Sequence, residues 1–104
     1  MATLLIPTQD FAAELETDLE GRLEVMADDG LSGKPDYEDC DSVAQLLREQ
    51  KTFPATIEVS DAEAQQAAIS VENVADLLDA HAEADYAKAF GIVQEHLRAQ
   101  GYPR

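Results

Sequence analysis

Apolar residues recur along the chain in spacings typical of short strands and of amphipathic helices. The segment Ala2–Ile6 is apolar and stops at Pro7, and a weaker alternation runs through Pro54–Val59. Both segments are predicted as strands that could pair, the first at a sheet edge because proline cannot donate to a strand ladder. A helix is predicted from about Gln9 to Ala27 with Thr8 as its N-cap. Its apolar positions are spaced four, four, four and three residues apart: Phe11, Leu15, Leu19, Leu23 and Met26.

Two capping-box patterns mark further helix starts. Ser42 with Gln45 predicts a short helix to about Gln50, and Ser60 with Glu63 predicts one from Asp61 to about Ile69. A new helix is predicted to start at Ser70. The last helix covers roughly residues 83–100, with Gly101 as its stop.

Residues 28–41 separate the first two predicted helices and are predicted as an acidic loop. Glycine, proline and acidic side chains dominate this segment. Fourteen residues are long for a connection in a compact domain, which favours either mobility or function. Tyr37 within it has two open interpretations, an interface anchor or a side chain that folds back over the core.

These elements predict one small acidic domain over residues 1–104, of the α+β class and predominantly helical. It would contain four to five helices and a short two-stranded sheet, with an all-α fold as the alternative. The predicted core consists of Phe11, Leu15, Leu19, Leu46, Leu47, Val74, Leu77, Leu78, Phe90, Val93 and Leu97.

Composition excludes several functional classes. The chain has 104 residues, with 22 acidic and 7 basic side chains and a net charge of −15. A polyanion needs a basic footprint, so direct nucleic-acid binding and docking to an anionic membrane are not expected. No long apolar run or signal peptide is present, and Cys40 is a lone cysteine. These features together predict a cytoplasmic protein.

Candidate chemistry is sparse. Cys40 lies between Asp39 and Asp41, whose negative charge raises a thiol pKa and disfavours a nucleophile. His81 and His96 fall in different predicted helices and are expected at helix ends or on the surface. Neither metal-ligand spacing nor a phosphate-binding loop is found. We therefore expect no enzyme activity, no cofactor and no metal site.

Charge is concentrated in one part of the sequence. Residues 10–41 hold twelve acids and two bases, a net charge of −10 over 32 residues. On the first predicted helix, Glu16, Glu20 and Glu24 form one row and Asp10, Glu14 and Asp18 a second. Carboxylates four residues apart repel each other and advance about 6 Å per step, a spacing comparable to that of DNA phosphates. Solubility or salt adaptation is the competing explanation.

In size and charge the chain resembles the small acidic inhibitors of phages and plasmids, some of which imitate DNA, such as anti-restriction and anti-CRISPR proteins. The resemblance is compositional and transfers no residue role. It implies a non-enzymatic protein that occludes a basic, nucleic-acid-binding surface of a partner protein. The alternatives are an assembly module, including a homodimer, that associates through an apolar helix face, and an antitoxin-like regulator. The predicted partner-binding residues are Glu14, Glu16, Asp18, Glu20, Glu24, Asp36, Glu38 and Asp39.

Overall fold

The two predicted strands pair with each other. In the computed structural model, which describes residues 1–78 and 84–104, β1 (Ala2–Ile6) and β2 (Ala55–Val59) form an antiparallel sheet in which Ala2 lies opposite Val59. The other edge of β1 is covered by the Gln100 side chain, whose amide oxygen accepts from the Thr3 N–H (2.9 Å) and whose amide nitrogen donates to the Thr3 carbonyl (3.0 Å). The predominantly helical α+β class is confirmed, and the all-α alternative is wrong.

The first helix, α1 (Gln9–Asp28), begins where the capping signal places it. Thr8 is the N-cap, and its hydroxyl accepts from the Phe11 N–H at 3.1 Å. The apolar stripe from Phe11 to Leu23 is buried, and Met26 is partly buried against the core. Phe11 packs on Phe90 of the last helix with 4.6 Å between ring centroids, which joins the two ends of the chain.

The predicted acidic loop is wrong over most of its length. Helix α2 (Pro35–Glu49) starts seven residues before the predicted capping box, and the connection shortens to residues 29–34. Pro35 occupies the first turn, where a missing N–H costs no hydrogen bond, so it starts the helix instead of breaking it. Gly30 and Gly33 adopt positive φ and make the turn. Ser42 is inside the helix, and its hydroxyl donates to Glu63.

Helix α3 (Asp61–Leu77) is continuous through the position where a second helix was predicted. The capping box of Ser60 and Glu63 is present as predicted. Ser70 does not start a helix; it is buried within α3, where its hydroxyl accepts from Arg22 at 2.9 Å. Helix α4 spans Ala84–Ala99, and Gly101 follows with a positive φ as expected; the predicted start near Glu83 lies outside the described residues.

The predicted core is confirmed except at three leucines. Leu46 and Leu78 are partly buried against it, whereas Leu77 is 80% exposed. Leu77 is the last residue of α3 and shares the side of Val74, but there both line an open groove beside α1, so the Leu77 side chain stays in solvent. The core contains small residues of α3 that the periodicity did not single out: Ala64, Ala67 and Ala68.

Candidate acidic interaction surface

Helices α1 and α2 pack against each other and form the acidic hairpin, defined as residues 9–49 with their connection. Arg48 near the end of α2 reaches Glu16 in the first half of α1, so the two helices run in opposite directions. The hairpin holds thirteen acids and three bases, a net charge of −10, against −5 for the other 63 residues. The structure therefore keeps the charge concentration of the sequence in one pair of neighbouring helices.

The three basic side chains of the hairpin have different surroundings. Arg22 turns toward α3, where its guanidinium donates to the Gln66 carbonyl (3.0 Å), to the Gln66 side-chain oxygen and to the Ser70 hydroxyl. Lys34 is exposed in the connection between the helices. Arg22 is the single base of α1 and is partly buried, so the fully exposed charged side chains of that helix are all acidic.

Arg48 partly neutralises the first carboxylate row, which consists of Glu16, Glu20 and Glu24. Its guanidinium forms ion pairs with Glu16 (2.8 Å) and Glu20 (2.5 Å), so the predicted mutual repulsion of this row is partly offset by α2. Hydrogen bonds to both carboxylates raise the pKa of Arg48. Glu24 continues the row, is exposed, and forms no ion pair within the described part of the chain.

The second row lies toward α3 and α4 instead of toward α2. Glu14 is close to the Tyr86 hydroxyl: burial, a hydrogen bond to Glu14 and its negative charge raise the pKa of Tyr86 to about 12. Asp18 lines a groove that Val74 and Leu77 of α3 also line. The predicted partner-binding residues of α1 thus divide between two sides of the helix.

The three predicted residues of α2 lie at its N-terminus. Asp36 and Glu38 are exposed in the first turn, where carboxylates interact favourably with the helix dipole. Burial and the nearby charges of Glu63 and Asp36 raise the pKa of Asp39. Like charges are therefore crowded at this end of the hairpin, and a cation bound there would relieve the repulsion.

Cys40 sits in a polar cluster between the hairpin and α3. The thiol is buried and donates to the Gln66 side-chain oxygen at 3.4 Å. Burial raises its pKa more than the Arg22 charge lowers it, which disfavours the thiolate as the sequence predicts. The sequence did not reveal this cluster; its signal is that Gln66 and Ser70 are four residues apart on one face of α3.

His96 and Tyr37, two further candidates from the sequence, contact other parts of the fold. His96 Nε2 lies 3.0 Å from the Thr3 hydroxyl, between α4 and β1, and His81 lies outside the described residues. Tyr37 is half-buried and packs against the core, which favours the covering interpretation over an interface anchor. Among residues 1–78 and 84–104 no group of three or more potential metal ligands is found.

Comparisons with protein-family models, with curated proteins and with solved structures found no match. None of the described helices is long and apolar enough to cross a membrane.

Proposed function

We propose that this chain is a non-enzymatic binding protein whose acidic hairpin covers a basic, nucleic-acid-binding surface of a partner protein. The observation that carries the proposal is the inward orientation of Arg22. Its guanidinium is used in hydrogen bonds to Gln66 and Ser70 of α3, so α1 adds no cation of its own to its exposed carboxylates, of which Arg48 of α2 pairs with Glu16 and Glu20. If these carboxylates served solubility alone, bases placed among them would stabilise the folded state, because they would reduce the repulsion between like charges.

The mechanism would be electrostatic steering followed by competition. A field of one sign speeds the encounter with an oppositely charged groove and disfavours partners of like charge. Once bound, the hairpin would occupy the basic side chains that otherwise contact phosphates. Such inhibition needs no chemical step, and it is the mode of action of those phage and plasmid inhibitors that imitate DNA, which this chain resembles in size and charge.

Two exposed carboxylates give the sharpest test. Glu24 on α1 and Glu38 on α2 form no ion pair within the described residues, so Glu24→Gln with Glu38→Gln removes charge without breaking a described ion pair. The matched control is Glu58→Gln with Glu95→Gln, which removes the same charge from exposed positions on β2 and α4. Lysine replacement of Glu16 and Glu20 is less informative, because it would place new cations against Arg48.

The experiment captures partners from a host lysate on the immobilised protein and asks whether the wild type blocks a captured protein from binding a labelled duplex. We expect the hairpin variant to bind and block more weakly, with a shallower salt dependence, and the control variant to behave like the wild type. Equal behaviour of the two variants, or a captured partner whose nucleic-acid binding is unaffected, would contradict the proposal.

A further inference from the structure

A groove separates α1 from the C-terminal end of α3 on the side of α1 that faces away from α2. Its volume is about 660 Å³, and its walls include Gly21, Val25 and Met26 of α1 together with Val74, Leu77 and Leu78 around the end of α3. Two of these apolar side chains stand at the surface: Val25 is 61% exposed and Leu77 is 80% exposed. Exposed apolar side chains that meet across a groove are characteristic of interaction sites.

Carboxylates border the same groove. Glu14 and Asp18 line it, and one carboxylate oxygen of Asp18 is buried without a hydrogen-bond partner in the described structure. Arg22 also lines the groove, but its guanidinium is held by Gln66 and Ser70. The groove therefore combines an apolar lining with two carboxylates and one guanidinium, which leaves it a net negative charge.

The shape indicates an occupant longer than a metabolite. The α1 wall carries Glu14, Asp18, Gly21 and Val25 at helical spacing, a rise of about 17 Å or three turns. Val25 and Leu77 both stand largely in solvent at the rim of the groove. A helix laid along the groove would cover them, as in other helix-in-groove interactions.

We propose that this groove binds an amphipathic helix of the partner protein, with apolar residues against Val25 and Leu77 and a lysine or arginine toward Asp18. The basic character of the occupant rests on the proposed function and agrees with the charge of the groove. A second copy of this chain fits poorly, because each copy carries a net charge of −15 and the two would repel each other. The acidic hairpin would then attract the partner, and the groove would anchor it.

The probe is a synthetic helical peptide of about 18 residues with leucine on one face and lysine on the other, labelled for fluorescence anisotropy. Val25→Gln with Leu77→Gln should weaken its binding about tenfold or more, because both side chains leave the apolar wall. The matched control, Leu31→Gln with Ile92→Gln, changes two apolar side chains that are exposed elsewhere and should stay within about twofold of the wild type.

A third variant fills the groove without touching its apolar rim. A Cβ built on Gly21 meets no heavy atom within 4 Å, so the first atom of a larger side chain has room, and Gly21→Leu also improves helix propensity. It should weaken peptide binding by a similar factor while the thermal midpoint stays equal or rises. Chemical-shift changes of the wild type on adding peptide should cluster at Gly21, Val25 and Leu77.

Other outcomes overturn the inference. Equal binding by all variants would mean that the peptide is held by general charge, and a wild-type dimer that Val25→Gln with Leu77→Gln converts to monomer would make a second copy the occupant. The groove variants keep every carboxylate of the hairpin. If they still block the partner's nucleic-acid binding while the Glu24 and Glu38 variant does not, the groove inference fails and the proposed function stands. If the Glu24 and Glu38 variant blocks normally, the proposed function fails independently.

Discussion

The acidic hairpin and the remainder of the molecule use carboxylates in opposite ways. Outside the hairpin, several carboxylates are built into the structure. Asp61 accepts from the Tyr102 hydroxyl at 2.8 Å, and Glu63 accepts from Ser42 and from the backbone of Ser60. Glu72 accepts from Gln94 (2.6 Å) and pairs with Arg98 (2.9 Å). These three carboxylates hold elements together.

Within the hairpin most carboxylates face solvent. Arg48 compensates Glu16 and Glu20, while Glu24, Asp28 and Glu38 are exposed without an ion pair among the described residues. Their mutual repulsion opposes folding. Carboxylates outside the hairpin stabilise the fold through hydrogen bonds and ion pairs, whereas the exposed ones of the hairpin repel each other. These exposed carboxylates are our reason for proposing an external basic partner.

Removing the inward base should give the largest effect. Arg22→Met leaves the Gln66 and Ser70 oxygens without their charged donor, and hydrogen bonds to charged groups contribute about 1.5–3 kcal/mol each. We expect a loss of about 2–3 kcal/mol in the free energy of unfolding, measured by urea denaturation. Lys34→Met removes an exposed base and should change it by less than about 0.5 kcal/mol. Equal effects would show that Arg22 does not connect the hairpin to α3.

Truncating one carboxylate from each region tests the comparison directly. Glu63→Ala removes half of the capping box and the acceptor for Ser42, so it should destabilise by about 1–2 kcal/mol. Glu24→Ala should be neutral or stabilise by a few tenths of a kcal/mol, because it relieves repulsion and favours the helix. Parallel thermal and urea unfolding of the two variants measures the difference. Similar losses for both would abolish the distinction between the two regions.

The ion pairs of Arg48 should contribute less to the free energy of unfolding than Arg22 or Glu63. Because Arg48 is partly exposed, Arg48→Met should cost about 0.5–1 kcal/mol at low salt, and the loss should shrink at 1 M salt, where the Debye length is about 3 Å. A double-mutant cycle with Glu20→Gln isolates the pair. A coupling energy that does not respond to salt would mean that Arg48 acts through packing.

Local signals in the sequence predicted most of the fold, because they depend on residues close together in the chain. The Thr8 cap, the Ser60 and Glu63 capping box and the Gly101 stop are all present. The error at α2 came from treating Pro35 and its acidic neighbours as helix breakers, although each is favourable in a first turn. The predicted helix start at Ser70 was wrong for a related reason, since the sequence alone does not distinguish a serine inside a helix from one at its start.

The site was harder to predict because its character depends on contacts distant in sequence. The concentration of acids was visible in the chain, but the pairing of Arg48 with Glu16 joins residues 32 positions apart. The inward turn of Arg22 depends on Gln66, 44 positions away. The groove beside Asp18 requires α3 to lie next to α1. Composition therefore indicated a charged surface, and the fold determined which charges remain uncompensated.

Acidification should have the smallest effect on stability, and its effect should have opposite signs at Asp39 in the hairpin and at Glu63 outside it. Burial and the charges of Glu63 and Asp36 raise the pKa of Asp39 above its ordinary 3.8, so the native state takes up this proton first and gains stability as pH falls toward that value. Burial opposes ionisation of Glu63, but hydrogen bonds from Ser42 and Ser60 outweigh it and lower its pKa below 4.5. The stability that ionised Glu63 contributes above that pH is lost on further acidification.

Urea midpoints measured from pH 7 to pH 3 should separate the two groups. Asp39→Asn should remove the gain on first acidification, whereas Glu63→Gln should reduce the loss at lower pH, and Glu24→Gln is the control for an exposed carboxylate. Because the charges of Glu63 and Asp36 add to the effect of burial at Asp39, high salt should diminish its contribution more than that of Glu63, whose effect comes from direct hydrogen bonds. An Asp39→Asn profile parallel to that of the wild type would mean that carboxylate crowding at the start of α2 has no measurable cost.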